Sequence, residues 1–319
     1  MKRILLIVAC LSFAFTACGG KPSTLTHIRL PLGYIPNIQF APLYVSMERG
    51  YFTEAGIEVE FDYSFETDAV ALVGAGDIPF AVVSGEQVLL ARAQGLPVVY
   101  VAAWYQQYPV SVVAESSEGI QKLADLRGKT IGLPGLYGAN YIGLRALLHA
   151  GDLTEADVTL DSIGYTQVES LVAGRDQAVS VYTANEPVQL RARGYDVTEL
   201  RVADYVQLAS NGLITNEKTI AENPDLVKRM VRAFLHGISD TIAEPATAYQ
   251  LSMKYVDGLK ADDTVQKQVL DTSMELWSAD RLGVSDPKAW ENMQSVLLDM
   301  GLLASPLDVS KAFTNKFIP

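Results

Sequence analysis

The sequence predicts an α/β protein built from two units of similar design. Short apolar runs alternate with amphipathic stretches from residue 28 to residue 201, a pattern typical of strands that alternate with helices. The alternation starts again near Leu123, and from Thr219 the pattern is helical to the C-terminus. We therefore expect two α/β units with mostly parallel sheets, followed by C-terminal packing helices.

The first unit is expected to contain four strands, each followed by a helix or a turn. Residues 57–63 alternate apolar and charged side chains, as in a strand with one solvated face. Gly50, Gly76 and Gly95 each follow a helical stretch and are expected to end it. The predicted strands are 28–32, 57–63, 80–83 and 98–104, and the predicted helices are 41–49, 67–75 and 88–94.

The second unit repeats this order and leads into the helical C-terminal part. Asn223 and Pro224 occupy the preferred cap and first-turn positions, so a helix is expected to start there. The predicted strands are 130–133, 158–163, 178–182 and 195–201, and the predicted helices are 139–150, 168–173 and 185–193.

The N-terminus has the features of an export signal. Lys2 and Arg3 precede an apolar run of twelve residues, which is shorter than the roughly 20 residues that span a bilayer. Residues 15–18 resemble a bacterial lipobox, so we expect a signal peptide at 1–17, lipidation of Cys18 and a polar tether at 18–27. The predicted location is the extracytoplasmic face of the cell membrane, reached through the lipid anchor. The alternative is a plain signal peptide with an incidental cysteine.

Composition argues against several classes of function. The net charge of −12 disfavours binding to nucleic acid. The second cysteine, Cys10, lies in the predicted signal peptide, which leaves no disulfide or thiolate metal site in the mature chain. The three histidines are not at metal-ligand spacing, and Ser84 lacks the motif of a hydrolase nucleophile. No metal, cofactor or catalytic residue is therefore expected.

Residues 33–44 join the first predicted strand to the first helix. Pro36 and Asn37 favour a turn, with Asn37 near the helix start, and Tyr34 and Phe40 flank it. Such a connection, at the carboxyl edge of an open α/β sheet, is where ligand sites form. The alternative is a plain connection with two core aromatic residues.

Four segments of the sequence resemble a known family of proteins. Residues 34–37, 48–59, 91–99 and 123–132 are similar to the substrate-binding proteins of ABC importers, in the branch related to thiamin-pyrimidine-precursor synthases. The resemblance implies a two-lobed periplasmic-binding-protein fold of type II, with the ligand in a cleft and an ABC permease as partner. It places hinge strands near 109–114 and 211–215. Lobe 1 would comprise 28–112 and 215–319, and lobe 2 would comprise 113–214. We expect a monomer.

Within this branch the chain looks most like the riboflavin-binding lipoproteins. The pyrimidine-binding relatives and the synthases usually carry a histidine after the Pro-Asn turn, where this chain has Gln39 and Phe40. The synthases also carry a cysteine cluster, where residues 135–141 of this chain contain aromatic residues instead. The resemblance therefore favours capture of riboflavin over capture of a thiamin pyrimidine precursor, and it disfavours an enzyme.

Aromatic faces for stacking, with amides and carboxylates for edge hydrogen bonds, suit a flat heteroaromatic ring. Glu86 alternatively caps the helix that follows it, and Tyr165 also falls near a predicted strand end. From the stacking argument, Trp104→Ala is expected to weaken binding and to leave the melting temperature of the free protein nearly unchanged. The expected ligand-binding residues are Tyr34, Asn37, Phe40, Phe65, Glu66, Ser84, Glu86, Trp104, Tyr105, Tyr137, Asn140, Tyr182, Asn185 and Glu186.

Overall fold

A computed structural model describes residues 25–319 of the chain. The predicted signal peptide, Cys18 and nearly all of the predicted tether lie outside the described residues. The first strand starts at Thr26, so His27 belongs to the folded domain and not to the tether. In residues 25–319, no helix combines the length and the apolar character that crossing a membrane requires.

The predicted α/β class is confirmed, and each predicted strand and helix is present within a few residues. The strands are β1 (Thr26–Pro31), β2 (Ile57–Asp62), β3 (Ala81–Val83), β4 (Val98–Ala103), β5 (Val110–Glu115), β6 (Thr130–Leu133), β7 (Thr159–Ser162), β8 (Ala178–Tyr182), β9 (Val197–Arg201) and β10 (Gly212–Asn216). The α-helices are α1 (Ala41–Glu48), α2 (Tyr51–Glu54), α3 (Glu66–Ala75), α4 (Gly85–Ala93), α5 (Gly138–Ala150), α6 (Gln167–Val172), α7 (Glu186–Ala192), α8 (Glu217–Glu222), α9 (Pro224–Ala243), α10 (Pro245–Ser252), α11 (Thr264–Trp277) and α12 (Pro287–Asp299).

The first unit contains β1 to β4 together with β10. Strand β1 pairs in parallel with β2, and β10 lies between β3 and β4, antiparallel to both. The second unit is a five-stranded sheet of order β7-β6-β8-β5-β9. In it β6 is parallel to β7 and β8, whereas β5 is antiparallel to β8 and β9.

The expectation of mostly parallel sheets is wrong. Four of the seven strand pairings in the described residues are antiparallel, and each involves β5 or β10. These are the first strands that the chain forms after it passes from one unit to the other. A strand that enters a sheet by such a crossing is not bound by the handedness of a local βαβ connection, so it can run in the opposite direction.

The chain crosses between the units twice. Residues 104–109 connect β4 to β5, and residues 202–211 connect β9 to β10. The predicted lobe boundaries at 112/113 and 214/215 fall inside β5 and β10. Each of these strands lies wholly in one sheet, so the crossings come several residues earlier than predicted.

The C-terminal helices return to the first unit. Helix α9 starts at Asn223-Pro224 as predicted, and the Asn223 side chain accepts a hydrogen bond from the Leu226 amide at 3.1 Å. Helix α9 packs on α1, and Tyr100 of β4 exchanges backbone hydrogen bonds with residues 312–314. Trp277 and Trp290 are completely buried in this part of the core.

Candidate ligand-binding site

A cavity lies between the two units, and together with the open solvent at its mouth it measures about 970 Å³. Its walls come from the connection after β1, the start of α3, both crossing segments, and the loops before α5, α6 and α7. The side chains or backbone that line it belong to Leu32, Gly33, Tyr34, Gln39, Phe40, Phe65, Glu66, Thr67, Val82, Gln87, Trp104, Tyr105, Pro134, Tyr137, Gly138, Ala139, Asn140, Tyr165, Gln167, Tyr182, Asn185, Glu186 and Asn211.

The β1-to-α1 connection forms one wall because its turn is capped. The Asn37 side chain accepts a hydrogen bond from the Gln39 amide at 2.9 Å, which starts a short 3₁₀-helix at residues 38–40. This turn places Gln39 and Phe40 in the cavity wall, and the side-chain Nε2 of Gln39 donates to the Tyr105 hydroxyl at 3.4 Å. Asn37 itself does not line the cavity. It shapes the turn that supports the wall.

Aromatic rings line the cavity from its interior to its mouth. Phe40 and Trp104 are buried, with ring centroids 5.7 Å apart, whereas Phe65 and Tyr137 are half-exposed. At the mouth, Tyr34 of the first unit contacts Tyr165 of the second unit edge to face, at 4.9 Å between ring centroids. The cavity therefore presents aromatic surfaces from both units.

Glu186 forms a polar point on the second-unit side of the cavity. Its carboxyl group accepts hydrogen bonds from the Tyr182 amide at 3.0 Å and from the Asn185 side chain at 3.1 Å. Burial raises the pKa of Glu186 to about 7, so this group changes charge near neutral pH. Its nearness also contributes to the raised pKa of Tyr34, although burial is the larger cause.

Glu66 forms the polar point on the first-unit side, at the start of α3. It accepts hydrogen bonds from the Ser84 amide at 3.1 Å and the Ser84 hydroxyl at 2.5 Å. The Asn211 side chain donates to its other oxygen at 3.2 Å, and Asn211 accepts in turn from the Tyr182 hydroxyl at 3.3 Å. Burial raises the pKa of Glu66, and the Ser84 hydrogen bonds act against this shift. A chain of hydrogen bonds therefore links both units at the cavity.

Gly33 allows Glu66 to occupy this position. The residue has φ +79°, and a Cβ atom there would lie 2.5 Å from Cγ of Glu66. Both the backbone conformation and the close approach require glycine.

Eleven of the fourteen predicted site residues line the cavity: Tyr34, Phe40, Phe65, Glu66, Trp104, Tyr105, Tyr137, Asn140, Tyr182, Asn185 and Glu186. Asn37, Ser84 and Glu86 do not. Ser84 and Glu86 are buried behind Glu66, at the start of α4, where their side chains hydrogen-bond to each other. Glu86 therefore contacts Ser84 and does not present its carboxyl group to the cavity.

Twelve of the lining residues are not among those predicted, and they include Gly33, Gln39, Gln87, Gln167 and Asn211. Asn211 lies just before β10, at the start of the hinge strand predicted near 211–215. Its position next to a predicted hinge is the feature of the sequence that indicates a place in the site. Gln87 and Gln167 lie in the first turns of α4 and α6, and no local pattern distinguishes them from solvated helix residues.

Trp104 has a larger structural role than the sequence suggested. Its side chain is only 2% exposed, and its ring packs within 6.0 Å of the Phe234 and Trp277 rings, between centroids. Truncating a buried aromatic residue costs about 3–5 kcal/mol of stability. The expectation that Trp104→Ala leaves the melting temperature nearly unchanged is therefore incompatible with this packing.

The cavity carries acidic but no basic side chains. Glu66 and Glu186 line it, and no lysine, arginine or histidine is among the described residues that do so. The remaining polar groups are the amides of Gln39, Gln87, Asn140, Gln167, Asn185 and Asn211. The site can accept hydrogen bonds at two carboxyl groups and can donate them from neutral amides.

Proteins of known name match this chain over nearly its whole length. It is 41% identical to the riboflavin-binding protein RibY of Chloroflexus aurantiacus, over 99% of this chain and 95% of that protein. It is 28% identical to the formylaminopyrimidine-binding protein of Halalkalibacterium halodurans, over 98% and 97% of the two chains. A 4-amino-5-hydroxymethyl-2-methylpyrimidine phosphate synthase of Legionella pneumophila is 23% identical, over 92% and 93%.

Solved structures establish the fold, and the sequence establishes the family. The periplasmic aliphatic sulphonate-binding protein SsuA of Escherichia coli superposes with a TM-score of 0.74 at 13% identity, covering 92% of this chain and 99% of that one. The predicted two-lobed periplasmic-binding-protein fold is thereby confirmed. The sequence profile of the family described as NMT1/THI5 like matches residues 37–248. The chain therefore belongs to the NMT1/THI5-like family, as its sequence predicted.

Proposed function

We propose that this protein is the extracytoplasmic solute-binding component of an ABC importer and that its ligand is riboflavin. The observation that carries the proposal is a cavity that residues 25–319 line with aromatic rings from both units, two carboxyl groups and no basic side chain. The 41% identity to a protein named as riboflavin-binding supports the same ligand.

The chemistry of the cavity suits a neutral flavin. An isoalloxazine ring offers a wide flat face for stacking, and the aromatic walls offer several partners for it. Its imide N–H and the ribityl hydroxyls can donate to Glu66 and Glu186, while its carbonyl oxygens can accept from the asparagine and glutamine amides.

A thiamin pyrimidine precursor is the second candidate ligand. The 28% identity to a formylaminopyrimidine-binding protein, over nearly the full length of both chains, is the observation that favours it. A single pyrimidine ring would leave much of the aromatic surface without a partner. The walls that Phe65 and Tyr137 add at the mouth are better used by a larger ring system.

We infer that the protein binds its ligand without transforming it. Synthases are among its relatives at 23% identity, so the possibility has to be tested directly. Among the described residues that line the cavity, there is no cysteine or histidine to act as nucleophile or base. Incubation with pyridoxal phosphate and iron is expected to give no product, and turnover would contradict this inference.

Riboflavin binding can be tested by the fluorescence of the flavin itself. Stacking on aromatic residues is expected to quench it, so titration of purified protein into riboflavin yields the affinity. The absence of quenching at micromolar concentrations would refute riboflavin as the ligand. Heat-denatured protein serves as the control for nonspecific quenching. If riboflavin does not bind, mass spectrometry of the small molecule that remains bound after purification would identify a pyrimidine precursor.

To hold the protein near its permease, we propose lipidation of Cys18. The expectation is that the N-terminal peptide of the wild-type protein carries acyl chains on Cys18 in mass spectrometry, and that Cys18→Ala carries none. Cys10→Ala is the matched control and is expected to keep the modification. An N-terminal Cys18 without acyl chains in the wild-type protein would contradict lipid anchoring.

A further inference from the structure

A fully buried carboxyl group and a carboxyl group of the cavity wall lie on either side of one serine hydroxyl. The Ser84 hydroxyl is 2.5 Å from Oε2 of Glu66 and is also hydrogen-bonded to Oε1 of Glu86. Glu86 and Ser84 are fully buried. Glu66 belongs to the cavity wall, so the three residues connect the ligand site to the protein interior.

The number of available hydrogens decides how this arrangement is held together. A serine hydroxyl has one hydrogen to donate, and it can accept at its oxygen. If both carboxyl groups were ionised, Ser84 could donate to only one of them, and the other would face a lone pair. Both contacts are satisfied when one carboxyl group is protonated. That group then donates to the Ser84 hydroxyl, and the Ser84 hydroxyl donates to the other carboxyl group. The pair therefore holds one proton.

Geometry assigns that proton to Glu86. Glu66 accepts from the Ser84 amide, the Ser84 hydroxyl and the Asn211 side chain, which together stabilise the ionised form. The Gln87 side chain makes only a long contact to Oε1 of Glu86, at 3.5 Å, and within residues 25–319 nothing hydrogen-bonds to Oε2, which would be costly for a buried carboxylate.

The surroundings of Glu86 contain no compensating positive charge. The titratable groups that face it are Glu66 from α3, Tyr108 from the crossing segment and Tyr182 from β8, while on its own helix the neutral Gln87 lies beside it. None of the ion pairs within residues 25–319 involves Glu66 or Glu86. Burial, and secondly the charge of Glu66, raise the pKa of Glu86 to about 8.

We propose that Glu86 is a positioning residue for ligand specificity. Because Glu86 keeps the shared proton, Glu66 stays ionised in the cavity wall and can only accept hydrogen bonds. This wall therefore selects a ligand group that donates a hydrogen bond. An imide N–H or a hydroxyl fits this requirement, and a group that only accepts does not. The inference rests on the proposed function, because it concerns which part of riboflavin meets Glu66.

The test is the pH dependence of riboflavin affinity, measured by fluorescence quenching between pH 6.5 and 9. Above pH 8 a second carboxylate would form beside Glu66, so the affinity of the wild-type protein is expected to fall, by up to about tenfold per pH unit. Glu86→Gln keeps a neutral donor towards Ser84. This variant is expected to lose the fall above pH 8 and to keep only the change near pH 7 that titration of Glu186 produces.

Glu222→Gln, at the exposed end of α8, is the matched control and is expected to retain the alkaline fall. The proposal is overturned if the folded Glu86→Gln variant falls with pH like the wild type, or if it loses binding at neutral pH. The latter result would mean that Glu86 acts as a carboxylate. Circular dichroism and thermal melting check that the variant is folded.

A measurement without ligand separates this inference from the proposed function. The infrared spectrum of the free wild-type protein at pH 7 is expected to contain protonated carboxyl absorption from Glu86 and, because its pKa is about 7, from Glu186. The Glu86 part is expected to disappear above pH 8 and to be missing in Glu86→Gln. Glu186→Gln identifies any contribution from the other buried carboxyl group. If riboflavin does not bind but the band behaves as described, the proposed ligand is wrong and the proton assignment stands. If Glu86→Gln retains the whole band, the assignment is wrong whatever the ligand.

Discussion

Phe65 and Trp104 both line the cavity, but they differ in how much of the protein's own core depends on them. The Phe65 side chain is 51% exposed and lies just before α3. Trp104 is buried among Phe234, Trp277 and other rings. Replacing each by alanine therefore separates the contribution of an aromatic face to binding from its contribution to folding.

For Phe65→Ala we expect a loss of riboflavin affinity with little change in stability. An aromatic pair contributes about 0.5–1.5 kcal/mol beyond area burial, which corresponds to a roughly 2- to 12-fold rise in Kd. The free energy of unfolding is expected to change by less than about 0.5 kcal/mol because the ring is half-exposed. Trp104→Ala, in contrast, is expected to lower the unfolding free energy by about 3–5 kcal/mol.

Quenching of flavin fluorescence gives Kd, and denaturant unfolding of the ligand-free protein gives the stability. Tyr205→Ala is the control, since Tyr205 is an exposed aromatic residue outside the cavity wall. The reasoning about stacking is refuted if Phe65→Ala binds riboflavin as tightly as Tyr205→Ala does. An unfolding free energy of Trp104→Ala equal to that of the wild type would refute the packing argument.

Three further predictions concern the carboxyl groups of the site. In the folded, ligand-free protein the pKa of Glu86 is raised to about 8, whereas in the unfolded chain it is near 4.5. The free energy of unfolding therefore falls as the pH rises from about 4.5 to about 8. For Glu86→Gln, the free energy of unfolding is expected to fall less steeply with pH than for the wild type. The difference in slope is up to about 1.4 kcal/mol per pH unit. Gly33→Ala is expected to weaken riboflavin binding by displacing Glu66, whereas Gly50→Ala, with a similar positive φ and open space around it, should affect stability alone. Riboflavin 5′-phosphate is expected to bind at least about tenfold more weakly than riboflavin, at low and at high salt, and equal affinities would contradict the role of the acidic wall.

Sequence reasoning was sufficient for the local parts of the fold. The helix start at Asn223-Pro224 and the helix end at Gly76 follow from side-chain capping and from backbone freedom, which act within a few residues. The strand directions did not follow. Strand β10 pairs with β3 and β4 across more than 100 residues of intervening chain, and its own sequence does not encode which way it runs.

The candidate site was predictable in its composition but not in the roles of its members. Loop aromatic residues near strand ends are visible in the sequence, and most of them do line the cavity. The roles of Ser84 and Glu86 depend on how α3 and α4 bring their first turns together, eighteen residues apart for Glu66 and Ser84. Trp104 shows the same limit, because its burial is produced by Phe234 and Trp277, which lie far along the chain.

The charge of the whole chain and the charge of the cavity have different consequences for ligand choice. The net charge of −12 acts at long range, and salt at physiological concentration screens it beyond about 8 Å. Glu66 is held in the cavity wall by Ser84 and Asn211, where it is partly buried. A ligand meets this group only after it has lost its own hydration, so a mismatched charge or a missing donor is penalised at full strength. Selectivity between riboflavin and its phosphorylated form should therefore persist when the general repulsion is screened, and salt dependence distinguishes the two origins.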